Sequence, residues 1–262
     1  MMSETSTPNA AGAARALLAV RRGGPRLRAL PAAMAPKTLA EAYAIQYALL
    51  RELNSSIAGW KASLFDAENG ICAPLPANAV RDAPAYLVPA RLPTQQNTRF
   101  GIEPEIAFRL GSDLPPLQPG ARYDREAVCA ALVSAHAAIE VVVSRYLDFD
   151  AVTQLERVAD NFMNELLIVG PSCTSWRSLA LAELPLEVRI DGKPVHQARG
   201  GHPLNDPLLP VVWLANHLSQ IGQGLRAGEI VTTGSWNGVC HVTLEQTVSA
   251  WFDGLGSAIV RF

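Results

Sequence analysis

The segment Gly101-Ile102-Glu103-Pro104-Glu105-Ile106-Ala107-Phe108 sets two carboxylates two residues apart in apolar surroundings. On an extended chain side chains alternate, so Glu103 and Glu105 project from one face, about 7 Å apart. Pro104 between them donates no ladder hydrogen bond, which predicts a sheet edge or a distorted strand start. Like charges side by side are costly unless a cation or a shared proton offsets them. Hard divalent cations take carboxylate oxygens, and Mg²⁺ combines a few carboxylates with waters or substrate oxygens. The pattern is therefore either a solvated acidic edge or half of a metal site. A third carboxylate, Glu140, stands in the run Ala137-Ala138-Ile139-Glu140-Val141-Val142-Val143. An ionised carboxylate there needs a partner. Two are on offer: a salt bridge to Arg145, or a metal shared with Glu103 and Glu105.

Other chemistries find little support. The cysteines Cys72, Cys129, Cys173 and Cys240 form no CxxC pair, and the histidines form no HExxH. Thiolate zinc sites, histidine zinc sites and a disulfide framework are thereby disfavoured. No GxSxG, GxGxxG or Walker pattern occurs, so serine-hydrolase, dinucleotide and P-loop chemistry have no footing. Thr233-Gly234-Ser235 offers hydroxyls and a tight backbone suited to holding a carboxylate, or else a generic turn. His202 and His241, in turn-like and β-like text, are read as structural.

These residues need a scaffold, and the composition permits one. Of 262 residues, 49% are apolar and 18% charged, which excludes disordered, collagen-like and coiled-coil chains. A formal charge of −2 leaves no basic excess for a phosphate backbone, so no nucleic-acid partner is expected. The uncharged run Pro207 to Leu225 holds Asn216, His217 and several other polar groups, which marks a soluble helix rather than a membrane span. The start, with Ser3 and Glu4, lacks a basic leader, so a cytoplasmic location is expected.

Helices are predicted over Asn9 to Arg22 and after the capping box Thr38-Leu39-Ala40-Glu41. Asp124 should cap a helix through Val128, Leu132 and Ala135, and Asp206-Pro207 should open another. The segment from Gly59 to Pro93, with Pro74, Pro76, Pro84 and Pro89, suggests short strands, loops and a hinge. Period-two alternation marks strands at Ile102 to Leu110, Leu186 to Ile190, Glu229 to Thr233 and Val248 to Phe252. Helices and strands do not alternate, so an α+β fold on a mostly antiparallel curved sheet is expected. Residues 1–75 are read as a helical N-terminal part with a hinge, and residues 76–262 as the β-rich catalytic domain.

The motif Gly-x-Glu-Pro-Glu-Ile-Ala-Phe is followed by Ala138-Ile139-Glu140, Ser144-Arg145-Tyr146 and Val158-Ala159-Asp160-Asn161. Together with Gly59-Trp60-Lys61, Leu225-Arg226-Ala227-Gly228 and Ile230-Val231-Thr232-Thr233-Gly234-Ser235, this resembles the 2-keto-4-pentenoate hydratase family of the fumarylacetoacetate hydrolase superfamily. The resemblance implies a fumarylacetoacetate-hydrolase-like β-roll. It also implies Mg²⁺ or Mn²⁺ on Glu103, Glu105 and Glu140, with Lys61 as the catalytic group, for proton transfer or for holding a carboxylate. Ser235, Thr233 and Asn161 would contact a small 2-oxo acid, and the protein would be a homo-oligomer, a complex with a related pathway enzyme being a further option. The implied activity is hydration of a 2-hydroxypenta-2,4-dienoate-type substrate to a 4-hydroxy-2-oxo acid in aromatic-compound catabolism. Decarboxylation of 2-oxo-hex-3-enedioate and a non-catalytic binding subunit are the alternatives. Leu75, Val143, Phe162 and Met163 depart from the family by standing where it tends to place polar groups.

Overall fold

The computed structural model of the chain describes residues 9–66, 68–86 and 100–262. Ser3 and Glu4, and the part of the proline-rich segment at Pro89 and Pro93, lie outside these residues. The N-terminal helices begin where their caps dictate. α1 (Ala10–Arg21) starts as the Asn9 side chain accepts the Gly12 N–H, and α2 (Leu39–Glu52) starts at a closed Thr38–Glu41 capping box. Ala42, Ile45 and Leu49 of α2 pack with Ala13, Ala14 and Leu17 of α1. α4 (Gln154–Ala159), itself capped by Thr153 and Glu156, adds Val158 and Ala159 to this apolar cluster.

Two sheets form the body. Among the described residues the larger runs β2 (Gly70–Pro76), β1 (Ile57–Leu64), β10 (Ile230–Thr232), β5 (Phe100–Leu110), β6 (Leu132–Val142), β7 (Asn164–Val169) and β3 (Val80–Asp82), with β11 (Cys240–Val242) also on β5. The smaller runs β4 (Ala85–Tyr86), β13 (Gly256–Arg261), β12 (Thr247–Phe252), β8 (Pro185–Ile190) and β9 (Lys193–Arg199). Most pairs are antiparallel, while β1–β10, β3–β7 and β4–β13 are parallel. The expected α+β fold with a mixed, curled sheet is thus present. The boundary expected at residue 75 falls inside β2, and β1 and β2 pair into the same sheet as β5 and β6.

Alternation sorts the larger sheet into two faces. Trp60, Ile102, Ile106, Phe108, Ile139 and Val141 join Val188, Val248, Phe252 and Val260 of the smaller sheet in the main core. Leu214 and Leu218 of α5 (Leu209–Gln220) close that core. The intervening residues, among them Lys61, Glu103, Glu105, Glu140 and Thr232, therefore belong to the opposite face.

Three local expectations are corrected. α3 (Arg125–Ala131) stops before Leu132, because Ser134 and Ala135 pair with Arg109 and Phe108 in the long β5–β6 ladder. α5 begins at Leu209 rather than after Asp206. The Asp206 side chain accepts the Leu208 N–H and is gripped by Arg125, so Pro210 enters the first turn instead. Pro104 lies neither on an edge strand nor at a strand start. β10 covers Ala107 to Arg109 and β11 covers Gly101 and its neighbours, and Pro104 faces the gap between them, where its carbonyl accepts the Trp236 N–H at 3.0 Å.

Candidate metal centre

The β5–β6 register sets Glu103 opposite Glu140, with Glu105 opposite Ala138. On the other side of β5, Thr232 of β10 stands opposite Ala107, and β1 places Lys61 beside Thr232. That parallel β1–β10 contact requires glycine at position 59, where a Cβ would come within 2.2 Å of the Ile230 carbonyl oxygen. Four strands thus deliver side chains to one patch of one face.

One carboxylate oxygen from each of Glu103, Glu105 and Glu140 lies within 4.8 Å of the others. Lys61 Nζ stands 2.8 Å from Glu140 Oε2 and 3.5 Å from Glu103 Oε2, and it donates to the Phe162 carbonyl at 3.3 Å. Glu105 Oε2 accepts from the Thr232 hydroxyl and, at 2.9 Å, from the Gly234 N–H. Gly234 presents that N–H with φ of 102°, a conformation glycine adopts without strain. Glu105 and Glu140 are completely buried.

The electrostatics are unbalanced. Among the described residues, three carboxylates against one ammonium leave two negative charges in excess, and Glu105 Oε1 has no hydrogen-bond partner. Burial first, and the charge of Glu103 second, push the Glu105 carboxyl up. Burial pushes Glu140 well above the usual carboxylate range, although the Lys61 ammonium opposes it. For Lys61, burial works against the charge. Attraction from Glu140, then Glu103 and Glu105, outweighs it and raises the amine above its ordinary value. An all-oxygen, anionic donor set with an orphan oxygen and a deficit of two positive charges fits a hard divalent cation such as Mg²⁺ or Mn²⁺.

Spacing groups the three carboxylates, the family resemblance adds Lys61, and the structure brings all four together. Arg145, the alternative partner for Glu140, is engaged elsewhere: it pairs with Glu165 and, at 3.4 Å, with Asp160. The other expected residues fall differently. Thr233 Oγ1 donates to the Ile106 carbonyl and Ser235 Oγ to the Gly238 carbonyl, both at 2.8 Å, so neither hydroxyl bonds to the carboxylates. Thr232 is the hydroxyl that does, and its single-residue offset follows from strand alternation. Asn161 Nδ2 reaches the Pro74 carbonyl at 3.4 Å, while its Oδ1 is buried without a partner. Asn161, Phe162 and Met163 have φ of 51°, 48° and 63°, a rare left-handed run that carries the Phe162 carbonyl to Lys61. His202 is buried with Nε2 2.9 Å from the Thr233 carbonyl, and His241 is exposed on β11.

The four apolar departures separate. Leu75 packs with Ala107, Ala138, Leu167, Val169 and Ile230 in a cluster on the carboxylate-bearing face. Val143 lies in the main core, away from that face, which removes it from the substrate shell. Phe162 and Met163 are half-buried, Phe162 against the helical cluster. Asn164, which the sequence reading passed over, donates from Nδ2 to Glu140 Oε1 at 2.7 Å. No spacing rule announces that contact, because it depends on the turn that precedes β7. Among the described residues no helix is long and apolar enough to cross a membrane.

Residues 69–262 match the family model described as fumarylacetoacetate (FAA) hydrolase C-terminal. The chain is 33% identical over 161 residues to a 2-keto-4-pentenoate hydratase of Burkholderia vietnamiensis, an alignment covering 62% of this chain and 60% of that protein. A 2-hydroxyhexa-2,4-dienoate hydratase of Comamonas testosteroni is 31% identical over 160 residues, 61% of this chain and 59% of the relative. The matched region thus spans about three fifths of the length of these curated relatives. In fold, the chain resembles 4-oxalocrotonate decarboxylase from Pseudomonas putida G7, solved with magnesium and adipate. The TM-score is 0.82 at 23% identity, with 97% of both chains covered. Fumarylpyruvate hydrolase from Pseudomonas aeruginosa, solved with Mn²⁺ and pyruvate, resembles it at a TM-score of 0.54 and 16% identity, over 77% of this chain and 87% of the other. On a family match that takes in well over half of its residues, the chain belongs to the fumarylacetoacetate (FAA) hydrolase family.

Proposed function

We propose that this protein is a divalent-cation-dependent lyase that hydrates a 2-hydroxypenta-2,4-dienoate-type substrate to a 4-hydroxy-2-oxo acid in aromatic-compound catabolism. The observation that carries the reading is the convergence of Glu103, Glu105, Glu140 and Lys61 on one buried patch. Similarity to hydratases acting on dienols of this kind supports it. Glu103, Glu105 and Glu140 would hold Mg²⁺ or Mn²⁺, which when bound supplies Lewis-acid stabilisation to negative charge on the 2-oxo oxygen.

The chain's own groups do the rest. Lys61 holds its proton firmly while the carboxylates are free, because their charges outweigh its burial. Once those charges are engaged by a cation, burial dominates and the ammonium becomes a better proton donor. The distal carbon of the dienol accepts that proton while the 2-hydroxyl gives up its own, which restores the Lys61 ammonium; the conjugated 2-oxo acid so formed takes up water, hydroxyl at C4 and proton at C3. Asn161, next to the carbonyl that anchors Lys61, offers its unpaired Oδ1 to the substrate. Thr233 and Ser235, with hydroxyls committed elsewhere, flank Gly234, whose N–H reaches Glu105. A homo-oligomer in the cytoplasm, associated with a related pathway enzyme, belongs to the same proposal and is tested by light scattering and co-purification.

Decarboxylation of 2-oxo-hex-3-enedioate is the second reading. It is favoured by the apolar Leu75 cluster on the carboxylate-bearing face, since that reaction needs no activated water. A panel of dienols and 2-oxo diacids, followed by ultraviolet absorbance with and without Mg²⁺, decides between them. Cation binding without turnover of any member would establish the non-catalytic subunit instead.

A further inference from the structure

We infer that Asn164 is a positioning residue that fixes the Glu140 carboxylate for single-oxygen ligation and so biases the centre toward small octahedral cations over Ca²⁺. The inference rests on the metal-centre reading above. The two Glu140 oxygens are held differently: Oε1 accepts the Asn164 amide at 2.7 Å, whereas Oε2 accepts no hydrogen bond among the described residues and faces the Lys61 ammonium at 2.8 Å as an ion pair. Asn164 is completely buried and its Oδ1 has no partner, which makes an amide at this position costly in itself. Its bond to Glu140 is the one hydrogen bond its side chain makes among the described residues.

The main chain of Asn164 is clamped as well. Its carbonyl accepts from Arg21 Nη2 at 2.5 Å and from Arg145 Nη2 at 2.8 Å. Glu165 pairs with both guanidiniums, and Asp160 adds a second contact to Arg145. This network is charge-balanced, two cations to two anions, in contrast to the carboxylate cluster it borders. Immediately before Asn164 runs the left-handed stretch Asn161–Met163, whose conformation leaves the entry to β7 little freedom. Helix α1, through Arg21, therefore reaches Glu140 by way of one asparagine.

Ca²⁺ takes six to eight oxygens and commonly uses a carboxylate through both of them, whereas Mg²⁺ requires octahedral geometry at shorter distances. A donor held on Oε1 and a cation held on Oε2 oppose the symmetric two-oxygen grip. Removing the donor frees Glu140 to rotate into it.

Calorimetric titration of MnCl₂, MgCl₂ and CaCl₂ into wild type, Asn164→Leu and Asn164→Ala tests this without any substrate. In both variants Mn²⁺ and Mg²⁺ should bind ~10–100-fold more weakly, as for loss of an outer hydrogen bond to a metal ligand. Ca²⁺ affinity should change less, so that the Mn²⁺-to-Ca²⁺ affinity ratio falls. Circular dichroism reports whether each metal-free variant is folded, and Asn164→Ala, too small to clash, stands if Asn164→Leu does not fold. Equal weakening of all three cations, or an unchanged Mn²⁺ affinity, overturns the positioning role and leaves the centre in place. Failure of the wild type to bind any of the three overturns the centre and this inference with it.

Discussion

Glu103 and Glu140 stand directly opposite each other across the β5–β6 ladder, where cross-strand pairing ordinarily avoids like charge. With Glu105 beside them and, among the described residues, only Lys61 to oppose, the metal-free fold carries an electrostatic cost at this patch. Sites built for function commonly trade stability in this way.

Glu105→Gln should therefore raise the melting temperature of the metal-free protein, since it removes a buried charge whose Oε1 is unpartnered. The same variant should lose the stabilisation that Mn²⁺ gives to wild type. Differential scanning calorimetry with and without MnCl₂ reads both effects. A lower metal-free melting temperature would show that the carboxylate stabilises the fold unaided.

Protons should leave when the cation binds. Glu105 and Glu140 both have carboxyls raised in the folded state. Groups raised on folding contribute stability that is present below their unfolded pKa and lost as pH rises through the folded value. The metal-free protein accordingly loses stability at this site with rising pH, and the loaded protein does not. Cation affinity and the thermal shift it produces should both grow as pH rises through the raised values of Glu105 and Glu140, with net proton release on binding. Calorimetry at pH 7 in buffers of different ionisation enthalpy counts the protons; uptake, or none, contradicts the assignment.

Lys61→Met should separate chemistry from cation binding. The ammonium repels an incoming dication, so its removal should leave Mn²⁺ affinity unchanged or strengthened. Turnover should fall by ~10²–10⁴-fold, the usual worth of one placed acid or base. The comparison of kcat with the Mn²⁺ dissociation constant checks it, and an undiminished rate reduces Lys61 to a structural counter-ion.

The cluster was legible because strand alternation is local. Glu103 and Glu105 share a face by their spacing, and Glu140 betrayed itself as a charge in an apolar run. Thr232 was not singled out, because Thr232 and Thr233 are chemically alike and only the register with Ala107 says that Thr232 faces Glu105. Pro104 misled for a related reason. Its missing N–H suggested an edge, whereas the fold places a gap between two short partner strands at that point. Asn164 was out of reach, since its direction depends on three consecutive left-handed residues and on arginines from distant segments.

The apolar wall should set the substrate. Leu75 is completely buried with Ala107, Ala138, Leu167 and Val169 on the carboxylate-bearing face, and Phe162 contributes its carbonyl rather than a polar side chain. Few groups beyond Lys61 are then available to move protons or to orient a water, whereas an apolar surface suits a longer or less polar dienoate. The five-carbon 2-hydroxypenta-2,4-dienoate should be hydrated with kcat/KM below the ordinary range of ~10⁴–10⁸ M⁻¹s⁻¹, and a dienol with an added alkyl group should exceed it. Oxalate, which presents the same pair of oxygens as a 2-oxo acid, should bind only in the presence of Mg²⁺. Steady-state kinetics on the two dienols and calorimetry with oxalate measure each half. Ordinary turnover of the five-carbon compound would mean that Lys61 and a bound water suffice and that the Leu75 cluster serves packing alone.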